Sequence, residues 1–94
     1  MPSEMVNPAH PGLVLRDYFE GHNITQVAKH IGVSRVTLSK ILNCRTGITA
    51  DMSLRLSAAL GTNPSFWLDM QSNYDMWQAR VRKRPRIRPL KIAA

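Results

Sequence analysis

The sequence predicts an all-α fold of five short helices with an extended C-terminal tail, and three observations carry that expectation. Apolar residues recur three and four apart in successive segments, which is the period of a helix with one buried face. Residues suited to a helix start precede those segments: Thr25, Ser34, Thr49 and Asn63 as caps, Pro11 and Pro64 at first helical positions. Glycines at 21, 32 and 61 stand where the segments should stop.

Taken in order, residues 1–9 are polar, carry prolines at 2 and 8, and read as a loose arm. A first helix is expected from Pro11 to about Glu20, with Leu15 and Phe19 turned inward. The stretch Thr25–Asn43 reads as two short helices joined by a tight turn at Gly32. In its first half Thr25 can cap, Ile24, Val27 and Ile31 are apolar, and Ala28 is small enough for a close crossing. In its second half Ser34 caps a helix beginning at Arg35, and Val33 and Leu38 can close a hydrophobic staple over the first turn. Leu38, Ile41 and Leu42 mark the buried face.

Val36, Ser39, Lys40 and Asn43 lie opposite that face, with Arg35 at its flank. A small outer face with two cations and no acid suits a DNA groove, where phosphate would repel carboxylates. Arg35 and Lys40 are the expected readers of guanine edges. Ser39 and Asn43 can bond bases or phosphates, and Val36 can pack on a thymine methyl.

A loop follows, and Thr49 then caps a fourth helix with Met52, Leu56, Ala59 and Leu60 as its apolar stripe. Arg55 on that helix could pair with an acid elsewhere in the fold. The fifth helix is expected from Pro64 to about Val81, where Trp67, Met70, Tyr74, Trp77 and Val81 step along one face. Phe66, Leu68 and Met76 lie off that stripe, more apolar surface than a last helix needs for one core. Trp67, Met70, Tyr74, Met76 and Trp77 are therefore the expected contacts to a second copy, with completion of a single core as the competing reading.

The chain reads as one domain, residues 10–81, between the arm of 1–9 and a basic tail of 82–94. Net charge is +7, unevenly placed: residues 1–79 hold six cations and six acids, and from Arg80 onward seven cations stand with no acid. Pro85 and Pro89 prevent a helix there, so the tail should be extended: solvated, laid along a polyanion, or, since Ile87, Leu90 and Ile92 alternate with charge, added as an edge strand or laid across a partner. The single cysteine, Cys44, excludes an internal disulfide, and no stretch matches a membrane span or signal peptide, so a cytoplasmic protein is expected. His10, His22, His30 and Cys44 have no metal-ligand spacing. No nucleophile elbow, phosphate-binding glycine loop or spaced carboxylate pair is present. The sequence therefore predicts no metal, no cofactor and no enzyme.

Thr25–Asn43 resembles the helix-turn-helix of phage-repressor-like (Xre-type) proteins. With His10–Phe19 (HPGLVLRDYF) and Arg45–Trp77, the chain is similar over about residues 8–80 to the HigA antitoxins, also described as plasmid-maintenance antidote proteins. The most specific matches are Ile48-Thr49, Arg55-Leu56, Ala59-Leu60-Gly61-Thr62, Phe66-Trp67-Leu68 and Tyr74-Asp75-Met76-Trp77. Cys44 stands where many relatives have glycine or a polar residue, and the basic tail is no family motif.

The resemblance implies a dimer on operator DNA that represses its own operon and neutralises a HigB-like (RelE-like), mRNA-cleaving toxin. The loop after the second helix would run along the DNA backbone, which makes Arg45 and Thr46 candidate phosphate contacts. The full candidate DNA set is Thr25, Gln26, Ser34, Arg35, Val36, Thr37, Ser39, Lys40, Asn43, Arg45 and Thr46. A stand-alone Xre-type regulator without a toxin is the alternative. Such a toxin is expected to be basic, so its binding should not run through the basic tail.

Overall fold

The computed structural model describes residues 7–92, so most of the expected N-terminal arm lies outside the described residues. Five helices follow one another: α1 Pro11–Tyr18, α2 Ile24–Ile31, α3 Arg35–Leu42, α4 Ala50–Leu60 and α5 Phe66–Val81. Among the described residues there is no strand. α3 packs against both α1 and α2, α4 against α2 and α5, and α1 also touches α5. Leu15, Phe19, Ala28, Ile31, Leu38, Ile41, Leu42, Ile48, Met52, Leu56 and Trp67 form one core.

The first four helix starts obey capping chemistry, with one correction. Asn23 rather than Thr25 caps α2: its Oδ1 accepts from the Gln26 amide at 3.1 Å, and Thr25 sits exposed inside the first turn. Asparagine is the stronger cap, and its site leaves Ile24 in the helix to pack on the core. α1 begins at Pro11 as expected, with the His10 Nδ1 accepting from Gly12 N at 2.9 Å. Ser34 caps α3 and Thr49 caps α4, each accepting from the amide three residues on.

α2, α3 and α4 end on left-handed residues. At Gly32 (φ 78°) the Val33 amide reaches Ala28 O and the Gly32 amide reaches Lys29 O, a Schellman closure. The same pair of bonds closes α3, from Arg45 N to Lys40 O and Cys44 N to Ile41 O. Here the left-handed residue is Cys44, at φ 59°, with a side chain that glycine would spare.

Several expectations change in the second half. α5 starts at Phe66, because Pro64 and Ser65 form a turn held by Asn63, whose Oδ1 accepts from Ser65 N at 3.0 Å. On α4 Ala59 is exposed, and Ser53 and Ser57 are buried instead. Their hydroxyls donate to Pro64 O at 2.7 Å and Asn63 O at 2.8 Å, and Ser53 also accepts from Leu68 N at 3.1 Å. Two small hydroxyls thereby satisfy the backbone of the α4–α5 corner where an aliphatic side chain would leave it unpaired.

Trp67, expected among the contacts to a second copy, is wholly buried inside its own chain. It meets Tyr18 and Phe66 edge to face and donates its indole N–H to Thr62 Oγ1 at 3.0 Å. No side-chain surface remains for another protomer. Arg55 pairs with Asp51 of its own helix at 2.7 Å, and its Nη1 donates to Ile31 O at 2.8 Å, tying α4 to the end of α2. After Val81 the backbone turns extended at Arg82 (φ −82°, ψ 139°), and residues 82–92 are exposed without helix or strand.

Candidate nucleic-acid interface

α3 is held tightly enough for its outer residues to be placed by backbone. Gly12 of α1 lies against it so closely that a Cβ there would stand 2.0 Å from Ile41 O. With Leu38, Ile41 and Leu42 buried, Arg35, Val36, Thr37, Lys40 and Asn43 face solvent and Ser39 is half-buried. Val36 is 62% exposed, an apolar side chain that covers nothing in its own chain. The Thr37 hydroxyl accepts from Ser34 Oγ at 2.8 Å, so both belong to the cap at the start of the helix.

Arg35, Ser39 and Asn43 line one side of a cleft of about 290 Å³ floored by Phe19, Ile24 and Leu42. Its other wall is Arg16 of α1, which sequence reasoning missed. The Arg16 Nη2 donates to Asn43 Oδ1 at 2.9 Å, and Asn43 Nδ2 donates to Ser39 Oγ at 3.3 Å. No spacing in α1 marks Arg16, since its partner is 27 residues away. From residue 21 to residue 50 the chain has four cations, Lys29, Arg35, Lys40 and Arg45, and no carboxylate. A cleft lined by two guanidiniums and no carboxylate is suited to an oxyanion such as a DNA phosphate.

The Schellman closure at Cys44 throws the chain off α3 and leaves Arg45 and Thr46 exposed beside its C-terminal end. That loop is pinned from below by α5. Gln71, also missed from sequence, is buried, and its Oε1 accepts from Ile48 N at 3.0 Å while its Nε2 donates to Asp75 at 2.9 Å. Gly47 gives it room, because a Cβ there would come within 2.9 Å of the Gln71 carboxamide. His10 is packed against Tyr74, ring centroids 4.9 Å apart. Burial pushes the His10 pKa below its ordinary 6.5, against the opposing pull of the Asp75 carboxylate and a hydrogen bond to the Thr46 main chain.

The remaining candidates are more scattered. Thr25 is exposed on α2, and Gln26 lines a different cleft, of about 300 Å³, with Tyr18, His22, His30 and Leu60. On distal α5, Met70, Tyr74 and Trp77 are half-buried and Met76 is 50% exposed. Among the described residues no cluster of His, Cys, Asp or Glu could hold a metal ion, and no described helix is long and apolar enough to cross a membrane.

Residues 15–67, more than half of the chain, match the helix-turn-helix family. The chain is 40% identical to virulence-associated protein A′ of Dichelobacter nodosus, over 95% of its own length and 80% of that protein. It is 37% identical to antitoxin HigA-1 of Vibrio cholerae, over 80% of its length and 73% of the relative. The solved structure of the Pseudomonas aeruginosa antitoxin HigA with the higBA promoter superposes with a TM-score of 0.74, at 35% identity, covering 79% of this chain and 84% of that one. With five helices in the same arrangement and a carboxylate-free outer face on α3, the chain belongs to the HigA family of helix-turn-helix antitoxins.

Proposed function

We propose that this protein is the antitoxin of a type II toxin–antitoxin module, a non-enzymatic cytoplasmic protein that represses its own operon and neutralises an mRNA-cleaving, RelE-like toxin. One observation carries the DNA half of this reading: α3 presents Arg35, Val36, Ser39, Lys40 and Asn43 outward from a frame set by Gly12, beside the cleft that Arg16 closes. Arg35 and Lys40 read base edges, Val36 meets a thymine methyl, and Arg45 and Thr46 take phosphates. Thr25, Gln26, Ser34 and Thr37 border this surface, with Ser34 and Thr37 chiefly fixing the helix start.

Residues 10–81 act as the DNA-binding and dimerisation unit. Met70, Tyr74, Met76 and Trp77 supply the contact between two protomers, so that two copies of α3 meet half-sites about 34–36 Å apart on an inverted repeat. The P. aeruginosa homologue captured with its promoter and the V. cholerae relative named as an antitoxin support the same assignment.

Co-purification with the product of the adjacent reading frame, followed by footprinting on the shared promoter, tests both halves. A stable complex and a protected inverted repeat are expected. Protection without a protein partner would leave a stand-alone regulator, and monomers on DNA would end the two-fold reading.

A further inference from the structure

Residues 1–79 sum to zero formal charge, so the whole excess of the molecule, seven cations, lies from Arg80 onward. Its placement follows from α5. Gln71 ties that helix to Ile48 and Tyr74 packs on His10, so α5 leaves the body beside the loop that carries Arg45 and Thr46. From Gln71 to Val81 is about 15 Å of helix. The eleven residues beyond, 82–92, can reach about 36 Å when extended, against 32 and 24 Å for the two shorter axes of the molecule.

The order of side chains within the tail is regular. Arginines occupy 82, 84, 86 and 88, Lys83, Pro85 and Ile87 fall between them, and Pro89 follows. Arg82 takes polyproline-like angles (φ −82°, ψ 139°) and Pro85 and Pro89 hold φ near the same value, so the tail rises about 3.1 Å per residue and alternate arginines recur about every 6.2 Å along it. Between them Ile87 is 83% exposed. Guanidinium suits phosphate through two parallel hydrogen bonds, which ammonium cannot make. Among these arginines Arg84 donates to Ala79 O at the end of α5, a bond it would exchange for a phosphate.

We propose that Arg82, Arg84, Arg86 and Arg88 lie along the DNA sugar–phosphate backbone and clamp the protein without reading sequence. The proposal rests on the DNA reading of α3. DNA is favoured over an acidic protein or an anionic membrane because α3 already holds the tail within reach of the duplex, where its effective concentration is high.

The test compares the full chain with two full-length variants, R82A/R84A/R86A/R88A and K83A/K91A, on operator and random duplexes across a salt series. Loss of all four arginines is expected to weaken both duplexes by the same factor, and to flatten the plot of log K against log salt by about 3.6 units, 0.9 for each phosphate contact. K83A/K91A should lose less than half as much slope. Equal slope loss per charge in the two variants would overturn the arginine clamp, as would unchanged DNA binding in the first variant, with or without lost binding to anionic vesicles or to the adjacent gene product. If the full chain prefers the operator no more than random DNA, the reading of α3 fails instead, which the unmodified protein alone reveals.

Discussion

The guanidinium of Arg16, on a helix outside the helix-turn-helix, donates to the carboxamide of Asn43 at the end of α3 at 2.9 Å. Asn43 is thereby turned toward Arg16 on one side and Ser39 on the other, and the pair acts as a unit at the rim of the cleft. Arg16→Ala is expected to weaken operator and random DNA alike and to lower the salt slope by about 0.9. Asn43→Ala should cost no more, and the double variant little beyond the larger single loss, with a coupling of about 0.5–3 kcal/mol. Additive losses in filter binding would show that the two residues meet DNA independently.

Arg35 and Lys40 should behave differently from Arg16. Replacing either with Ala is expected to cost about 1–3 kcal/mol on the operator and to relax preference at one base position. Selection from a randomised half-site measures this. Equal loss on random duplex would make them phosphate contacts.

Cys44 holds a left-handed conformation that the end of α3 requires. Glycine adopts it without the Cβ penalty of about 1–2 kcal/mol, less what is lost through greater freedom in the unfolded chain. Cys44→Gly is therefore expected to stabilise the protein by about 0.5–1 kcal/mol in urea denaturation. A destabilised variant would mean that the thiol makes a contact outweighing the strain.

His10 is buried with its Nδ1 accepting from Gly12, an arrangement open only to the neutral ring. Its folded pKa lies below the ordinary 6.5, so between the two values the unfolded chain binds more protons. Stability from this site is full above pH 6.5 and is lost as pH falls through the folded value. His10→Asn can cap α1 without titrating. Its stability should fall less between pH 7 and pH 5 than that of the unmodified protein, and parallel curves would remove His10 as the cause.

The two tryptophans of α5 should separate. Trp67→Ala is expected to cost about 3–5 kcal/mol of folding stability, since the indole is enclosed in the core. Trp77→Ala should chiefly weaken dimerisation, read by sedimentation over a concentration series. A dimer of unchanged affinity would return Trp77 to the core of its own chain.

The helix-turn-helix was legible because its signals are local: Ser34, Gly32 and the spacing of Leu38, Ile41 and Leu42 each act within a few residues. What escaped depends on partners distant in sequence. Arg16 gains its meaning from Asn43, Gln71 from Ile48, and Ser53 from the carbonyl of Pro64, and no periodicity connects such pairs. Serines in α4 resemble a solvent face until the corner with α5 closes over them. Trp67 was misplaced for the opposite reason. Its position on an apolar stripe is equally consistent with a core and an interface, and only the enclosure by Tyr18, Phe66 and Thr62 decides.

The contact of Gly12 with the Ile41 carbonyl bears on how such proteins diverge. Because α1 and α3 meet through backbone, the separation between them does not depend on which side chains α3 carries outward. If the proposed readers at 35, 36, 39 and 40 set the operator, duplicated genes are free to exchange them and acquire new operators while the docking pose is inherited intact. Position 12 itself is closed to that drift, since any side chain there would tilt the reading helix and mis-set every contact at once.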